Sequence, residues 1–181
     1  MLKNLAKMTS LGWLLSFASI AHSQALPTAT GRGGFQAGGG YTIASPDYAQ
    51  RKIQGFTLYG DLDLAYHYGV EAEYHYISLG TPTDIGENSF LIGPRFIYRH
   101  RRLSAYGKGM IGIGDLVIQN PNDNVGHTGG TKFAYALGGG VDYQVSHHFV
   151  VRPIDFEYQH WSYESGLTPM VFTFGVAYRF R

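Results

Sequence analysis

Thr173-Phe-Gly-Val-Ala-Tyr-Arg-Phe180 is the stretch on which the reading of this chain turns. Its residues alternate with period 2. Phe172, Phe174, Val176, Tyr178 and Phe180 share one face, and Thr173, Gly175, Ala177 and Arg179 share the other. The first face is wholly apolar and ends in aromatics, while the second is small or polar. A strand of about ten residues with such a face is long enough to cross a bilayer at a tilt.

Working outward, the same alternation predicts eight strands, at 34–43, 55–66, 70–80, 90–99, 103–118, 133–145, 149–161 and 170–180. Tight turns are expected at His67–Gly69, His100–Arg102 and Ser146–His148. Longer stretches rich in Pro, Asn, Asp, Gly and Ser lie between them, at Ala44–Gln54, Thr81–Ser89, Gln119–Lys132 and Ser162–Pro169. Short turns on one side and longer loops on the other are the asymmetry of membrane barrels, whose short turns face the periplasm. An even strand number returns both barrel ends to that side. The predicted fold is therefore all-β, an eight-stranded antiparallel up-and-down transmembrane β-barrel. Closure is required because backbone groups in lipid have no other partners.

Lys3 and Lys7 precede an apolar run from Leu11 to Ala21, followed by the small residues of Ala21-His22-Ser23. This predicts a secretory signal peptide over 1–23, with an apolar core too short for a spanning helix. Gln24–Gly33 reads as a short linker and 34–181 as the barrel. Without Lys3 and Lys7 the chain keeps 12 basic against 13 acidic side chains, a balance that gives no reason to expect nucleic acid. Charged residues make up 15 %, below the ~25 % usual for soluble domains, whereas Tyr, Phe and Gly are abundant. The absence of cysteine leaves stability to the sheet rather than to disulfides.

The alternation also assigns faces. Phe56, Leu58, Leu62, Leu64 and Tyr66 oppose Thr57, Tyr59, Asp61 and Asp63, while Val70, Ala72, Tyr74 and Tyr76 oppose Glu71, Glu73 and His75. Aromatics gather at strand ends with aliphatics between, as two interfacial girdles around a lipid band require. In the seventh strand the count breaks once, and a bulge at Pro153 restores it. A soluble lipocalin-like barrel has the same alternation with its apolar face inward. The aromatic end-caps and the C-terminal pattern argue against it.

With the apolar face outward, the interior collects seven acids, Asp61, Asp63, Glu71, Glu73, Asp142, Asp155 and Glu157, and five bases, Arg95, Arg99, Lys108, Arg152 and Arg179. Eight strands enclose just enough space for side chains, so an interlocked salt-bridged plug is expected rather than a conduit. A turn at His67–Gly69 would set Asp63 beside Glu73 and Asp61 beside His75. Two adjacent carboxylates out of bulk water need a base, and Arg152 or Arg179 is expected to supply it.

Several apparent motifs do not fit this frame. Gly107-x-Gly109-x-x-Gly112 matches a dinucleotide fingerprint, but strand alternation follows it where a helix is needed. Gly38–Gly40 and Gly138–Gly140 also fall inside strands. His147-His148 reads as a turn dipeptide rather than a metal site. No cofactor and no metal are expected. His160-Trp161-Ser162, followed by Glu164, is sharper, because a His, a Ser and a carboxylate at the outer rim resemble the lipid A 3-O-deacylase barrels. That resemblance implies His160 as base, Ser162 as nucleophile and Glu164 as orienting acid. In that family the acid lies further downstream in the final strand. An interfacial His-Trp anchor explains the same residues, so the chain is read as non-enzymatic.

Arg152-Pro-Ile-Asp-Phe-Glu-Tyr158 in the penultimate strand and Thr173–Phe180 in the last carry a wider resemblance. Over 34–181 the chain resembles the outer-membrane β-barrel domain family of small eight-stranded barrels, similar to the barrel of outer-membrane protein A and to Opa-type surface barrels. The resemblance implies a bacterial outer-membrane location and lipid as solvent. It also implies recognition by the barrel-assembly machinery through Thr173, Gly175, Tyr178 and Phe180. The expected role is envelope integrity or surface interaction through the outer loops. The alternatives are an adhesin that takes an extracellular ligand through Asp47–Arg51 and Asn120–Lys132, the deacylase, and a narrow pore.

Overall fold

Eight strands carry the chain: β1 (Phe35–Ser45), β2 (Ile53–Asp63), β3 (Tyr68–Leu79), β4 (Ile85–His100), β5 (Leu103–Ile118), β6 (Thr131–Gln144), β7 (Phe149–Trp161) and β8 (Met170–Phe180). The computed structural model describes residues 34–47, 52–79, 85–118, 130–162 and 167–180. The segments read from the sequence as signal peptide and linker, 1–33, lie outside the described residues. Each strand pairs antiparallel with the next, and β1 pairs with β8 to close the barrel. The seam runs in register from Phe35↔Phe180 to Ser45↔Met170.

β5, β7 and β8 have the bounds read from the sequence. β4 reaches back to Ile85, pairing Glu87 with Leu116 and Ser89 with Gly114. Those polar residues face the interior, where they do not interrupt a strand, although their composition predicts loop over Thr81–Ser89. The turn between β2 and β3 is also displaced. Leu64 N and Ala65 N both donate to Tyr68 O, so the chain reverses over residues 64–67 rather than at His67–Gly69. The apolar alternation of Leu64 and Tyr66 runs on into this turn and hides it. Between β4 and β5 the reversal is tightest, and Arg101 takes a positive φ of 54° there.

The burial pattern follows the pleat. Leu137 is 63 % and Val176 59 % exposed, whereas Asp61 and Arg152 are 1 % exposed. A soluble barrel would reverse this, so the lipocalin-like arrangement is excluded. A continuous apolar exterior of this extent needs lipid rather than water. In β7 Pro153 and Ile154 both face outward, and the register slips between Arg152 and Asp155 against β8 and between Val141 and Tyr143 against β6. One extra residue at this bulge leaves both Arg152 and Asp155 pointing inward.

Inward-facing glycines make room for large inward side chains. A Cβ on Gly38 would stand 2.7 Å from the Tyr59 ring, and one on Gly140 2.6 Å from the Tyr106 hydroxyl. Toward the outer ends of the strands apolar side chains crowd the lumen, with Glu87 and Ser89 buried beside them. Ala44, Ile53, Ile77 and Val171 form one cluster there, and Leu91, Met110, Ala134, Ala136, Trp161 and Leu167 form another. The charges lie beneath this roof.

Candidate functional site

The inward positions of β2 to β7 bring six carboxylates, Asp61, Glu71, Glu73, Asp142, Asp155 and Glu157, around three cations, Arg95, Lys108 and Arg152, and all nine side chains are buried. Lys108 is the hub of one side. Its Nζ lies 3.0 Å from Glu71, 2.6 Å from Glu73, 2.7 Å from Asp155 and 2.7 Å from Glu157. Arg152 spans the lumen, with Nη2 2.9 Å from Asp61, Nη1 2.9 Å from Glu71 and 3.1 Å from Asp155, and Nε 3.0 Å from Asp142. Arg95 reaches Asp61 at 2.7 Å and Glu71 at 3.2 Å, and also pairs with Asp142.

Aromatic rings hold the guanidinium planes. Arg152 Cζ stands 3.8 Å from the Tyr59 ring centroid, and Arg95 Cζ stands 3.7 Å from that of Tyr106. A desolvated guanidinium over a ring gains cation–π attraction and loses rotamer freedom, so the bulky tyrosines fix where each fork points. Those rings fit because Gly38 and Gly140 lie beneath them.

Further polar layers flank the ion pairs. Gln36 Nε2 donates to Asp61 at 2.5 Å and to Asp142 at 3.3 Å, and Gln36 Oε1 accepts from Arg179 at 2.9 Å. Arg99 pairs with Asp63 at 2.6 Å near the short turns. On the outer side His75 Nδ1 lies 2.7 Å from Thr57 Oγ1, which meets Thr42 Oγ1 at 2.5 Å. Thr42 in turn meets Thr173 at 3.0 Å. Gln159 Nε2 donates to Glu157 at 2.8 Å, and Trp161 Nε1 donates to Gln159 Oε1 at 3.0 Å.

Two sequence expectations need correction. Asp63 does not sit beside Glu73, nor Asp61 beside His75. The displaced turn pairs Asp63 with Gly69, Asp61 with Glu71, Tyr59 with Glu73 and Thr57 with His75. The slip is an even number of residues, so every side chain keeps its face while changing its neighbour. Arg152 does bridge the acids, but among the described residues Arg179 contacts Gln36 and no carboxylate. Its place near the end of β8 puts it below the acidic layer, and Asp63 is neutralised by Arg99 instead. Sequence reasoning put Thr57, Thr173 and Gln159 on the inward face but did not tie them, Thr42 or Gln36 into the network. Neutral polar residues on an inward face carry no charge signal, and the cross-strand neighbours that reveal them are set by register.

These features have counterparts among known proteins. The sequence profile of the outer membrane protein beta-barrel domain matches residues 12–180. The chain belongs to that family. No curated protein matches it in sequence. Among solved structures it is similar to Ail, the attachment invasion locus protein of Yersinia pestis, in complex with the heparin analogue sucrose octasulfate. The identity is 20 %, the TM-score 0.61, and the match covers 82 % of this chain and 99 % of Ail. It is also similar to OprG from Pseudomonas aeruginosa, at 16 % identity and TM-score 0.60, covering 83 % of this chain and 97 % of OprG. Neisserial surface protein A is a third, at 13 % and 0.60, covering 82 % and 97 %. At these identities the likeness is one of fold. As a member of the outer membrane β-barrel family, the chain resides in the bacterial outer membrane with its apolar exterior in lipid.

In this family frame β8 keeps Tyr178 and Phe180 on the exterior and Thr173 and Gly175 on the interior. His160 faces outward on β7 and packs against the Tyr135 ring with centroids 5.0 Å apart, and exposed Ser162 donates its backbone N–H to Phe133 O. Glu164 lies outside the described residues, as do 48–51 and 120–129 of the two loops read as ligand-binding.

Proposed function

We propose that this outer-membrane barrel is a non-enzymatic envelope protein with a lumen closed to solutes, acting through its outer loops in envelope integrity or surface contact. The observation that carries this reading is the lumen's content. Three buried cations cross-link six carboxylates from β2, β3, β6 and β7 under a roof of apolar side chains. Ions held by several partners at once do not part cheaply, because opening a path strands buried charge. Thr173, Gly175, Tyr178 and Phe180 are the assembly signal in this reading, and residues 1–23 are the export signal.

Reconstitution into planar bilayers tests it. The expected record shows no unitary conductance steps above the bare membrane. Stable stepwise openings that vanish in protein-free bilayers would overturn the closed-lumen reading.

A surface-binding role is favoured by one contact. Asp47 Oδ2 accepts from Thr168 N at 3.1 Å and from Thr168 Oγ1 at 2.8 Å, tying the first outer loop to the last. In sequence, the connections between the outer strand ends contain two bases, Arg51 and Lys52, and four acids, Asp47, Asp84, Asp123 and Glu164. Such a surface has little to offer a polyanion like the heparin analogue bound by Ail, so cells carrying the protein are expected not to retain heparin.

A further inference from the structure

We propose that His75, Glu73 and Glu157 form a binding site for a divalent transition-metal ion of the zinc type, inside the barrel beneath its apolar roof. The three side chains are fully buried, and their donor atoms all lie within 4.8 Å of one another. His75 Nε2 is 3.3 Å from Glu73 Oε2 and 3.4 Å from Glu157 Oε2, yet it makes no hydrogen bond to either. A charge-assisted N–H···O bond would draw these atoms to about 2.7–2.9 Å. Ligands about 2.0–2.1 Å from a tetrahedral zinc stand roughly 3.3–3.4 Å apart, which is the spacing of His75 Nε2 from each of the two carboxylates.

The surroundings hold the donors as an outer shell holds metal ligands. With His75 Nδ1–H donated to Thr57 Oγ1 at 2.7 Å, Nε2 keeps its lone pair and its aim. Lys108 takes Glu73 Oε1, leaving Glu73 Oε2 without a hydrogen-bond partner and turned toward His75. Gln159 steadies Glu157 Oε2. Charge balance points the same way. In the central layer six carboxylates face three permanent cations, so with every acid ionised three negative charges stay uncompensated in a medium that tolerates them poorly. A divalent ion at His75 removes two of them. Imidazole with two carboxylate oxygens suits zinc and its neighbours rather than calcium or magnesium, which take oxygen ligands in larger number.

Because apolar clusters roof the lumen, the ion is expected to enter during folding. The untagged barrel, with His147→Gln and His148→Gln to remove the exposed turn pair, is refolded with zinc and washed with chelator. Metal is then counted by mass spectrometry. About one zinc per folded chain is expected, and His75→Gln should retain less than roughly a tenth of that. Thr57→Val keeps all three donors and loses the Nδ1 partner, so affinity should fall about 10–100-fold. Cobalt refolded into the parent should give the intense visible bands of tetrahedral coordination. A folded parent that retains no zinc would overturn the proposal. Equal zinc retention by folded His75→Gln would overturn it as well. Should His75→Gln not fold, the cobalt spectrum decides, and octahedral or absent bands sink the idea.

Discussion

Arg152 is the side chain on which the interior most depends. It contacts carboxylates from four strands, β2, β3, β6 and its own β7, and packs on Tyr59. Arg152→Met keeps much of the volume and strands Asp61 and Asp142 with fewer partners. Breaking a buried pair from one side costs about 3–5 kcal/mol. Urea unfolding of the detergent-embedded protein should show the unfolding free energy fall by about that amount, with a correspondingly lower midpoint. Arg179→Met, which loses a contact to Gln36 at the rim, should cost less than about 1 kcal/mol. Equal losses in the two variants would show that the network is not centred on Arg152. At the rim His160 packs on Tyr135, so Ser162→Ala and His160→Ala should leave the lipid A of expressing cells unaltered by mass spectrometry. An acyl chain removed by the parent and retained with Ser162→Ala would establish a deacylase.

Strands were legible in the sequence where the two faces differ strongly and obscure where they do not. β8 was read to the residue because every second position is apolar. β4 was read short because Glu87 and Ser89 resemble loop residues until one knows that this interior is polar. Faces came from parity, which local sequence records. Partners came from register, which the turn at 64–67 sets through two hydrogen bonds to Tyr68 O. The charged residues of the interior were therefore found, while the pairs they form were partly misassigned. Pro153 in β7 makes the same logic testable. Deleting Pro153 removes the extra residue, restores continuous pairing with β6 and β8 and keeps all faces, so the variant should still fold. Deleting Phe156 instead would turn Glu157 and Gln159 into lipid, and no folded species should form. Gel migration without boiling distinguishes the two outcomes.

The whole barrel inverts the usual arrangement of a soluble protein, with ions at the centre and aromatics and aliphatics at the surface. Its stability rests on a ladder with no free edge and on an interior whose charges are held by one another. Such an object opens slowly in detergent, so unheated and boiled samples should migrate differently on a gel. Identical migration, together with solubility in the absence of detergent, would contradict a lipid-embedded barrel. The function was less legible than the fold for a physical reason. Solvent and closure dictate the alternation of every strand, whereas surface roles depend on loop residues that neither periodicity nor burial constrains.

Phe35 and Phe180 meet with ring centroids 5.4 Å apart on the seam that joins the first strand to the last. Their meeting sets an order of events. A contact between segments so distant along the chain is slow to form, and no earlier pairing substitutes for it. Until it forms, β1 and β8 each present an open row of amides beside a broad oily sheet, the state in which such a chain is most prone to stick to its own kind. The interval before the seam shuts, rather than the strength of the finished barrel, is thus the hazardous part of this protein's life. Crowding of newly exported copies should lower the yield of closed barrels more than any modest weakening of the closed one.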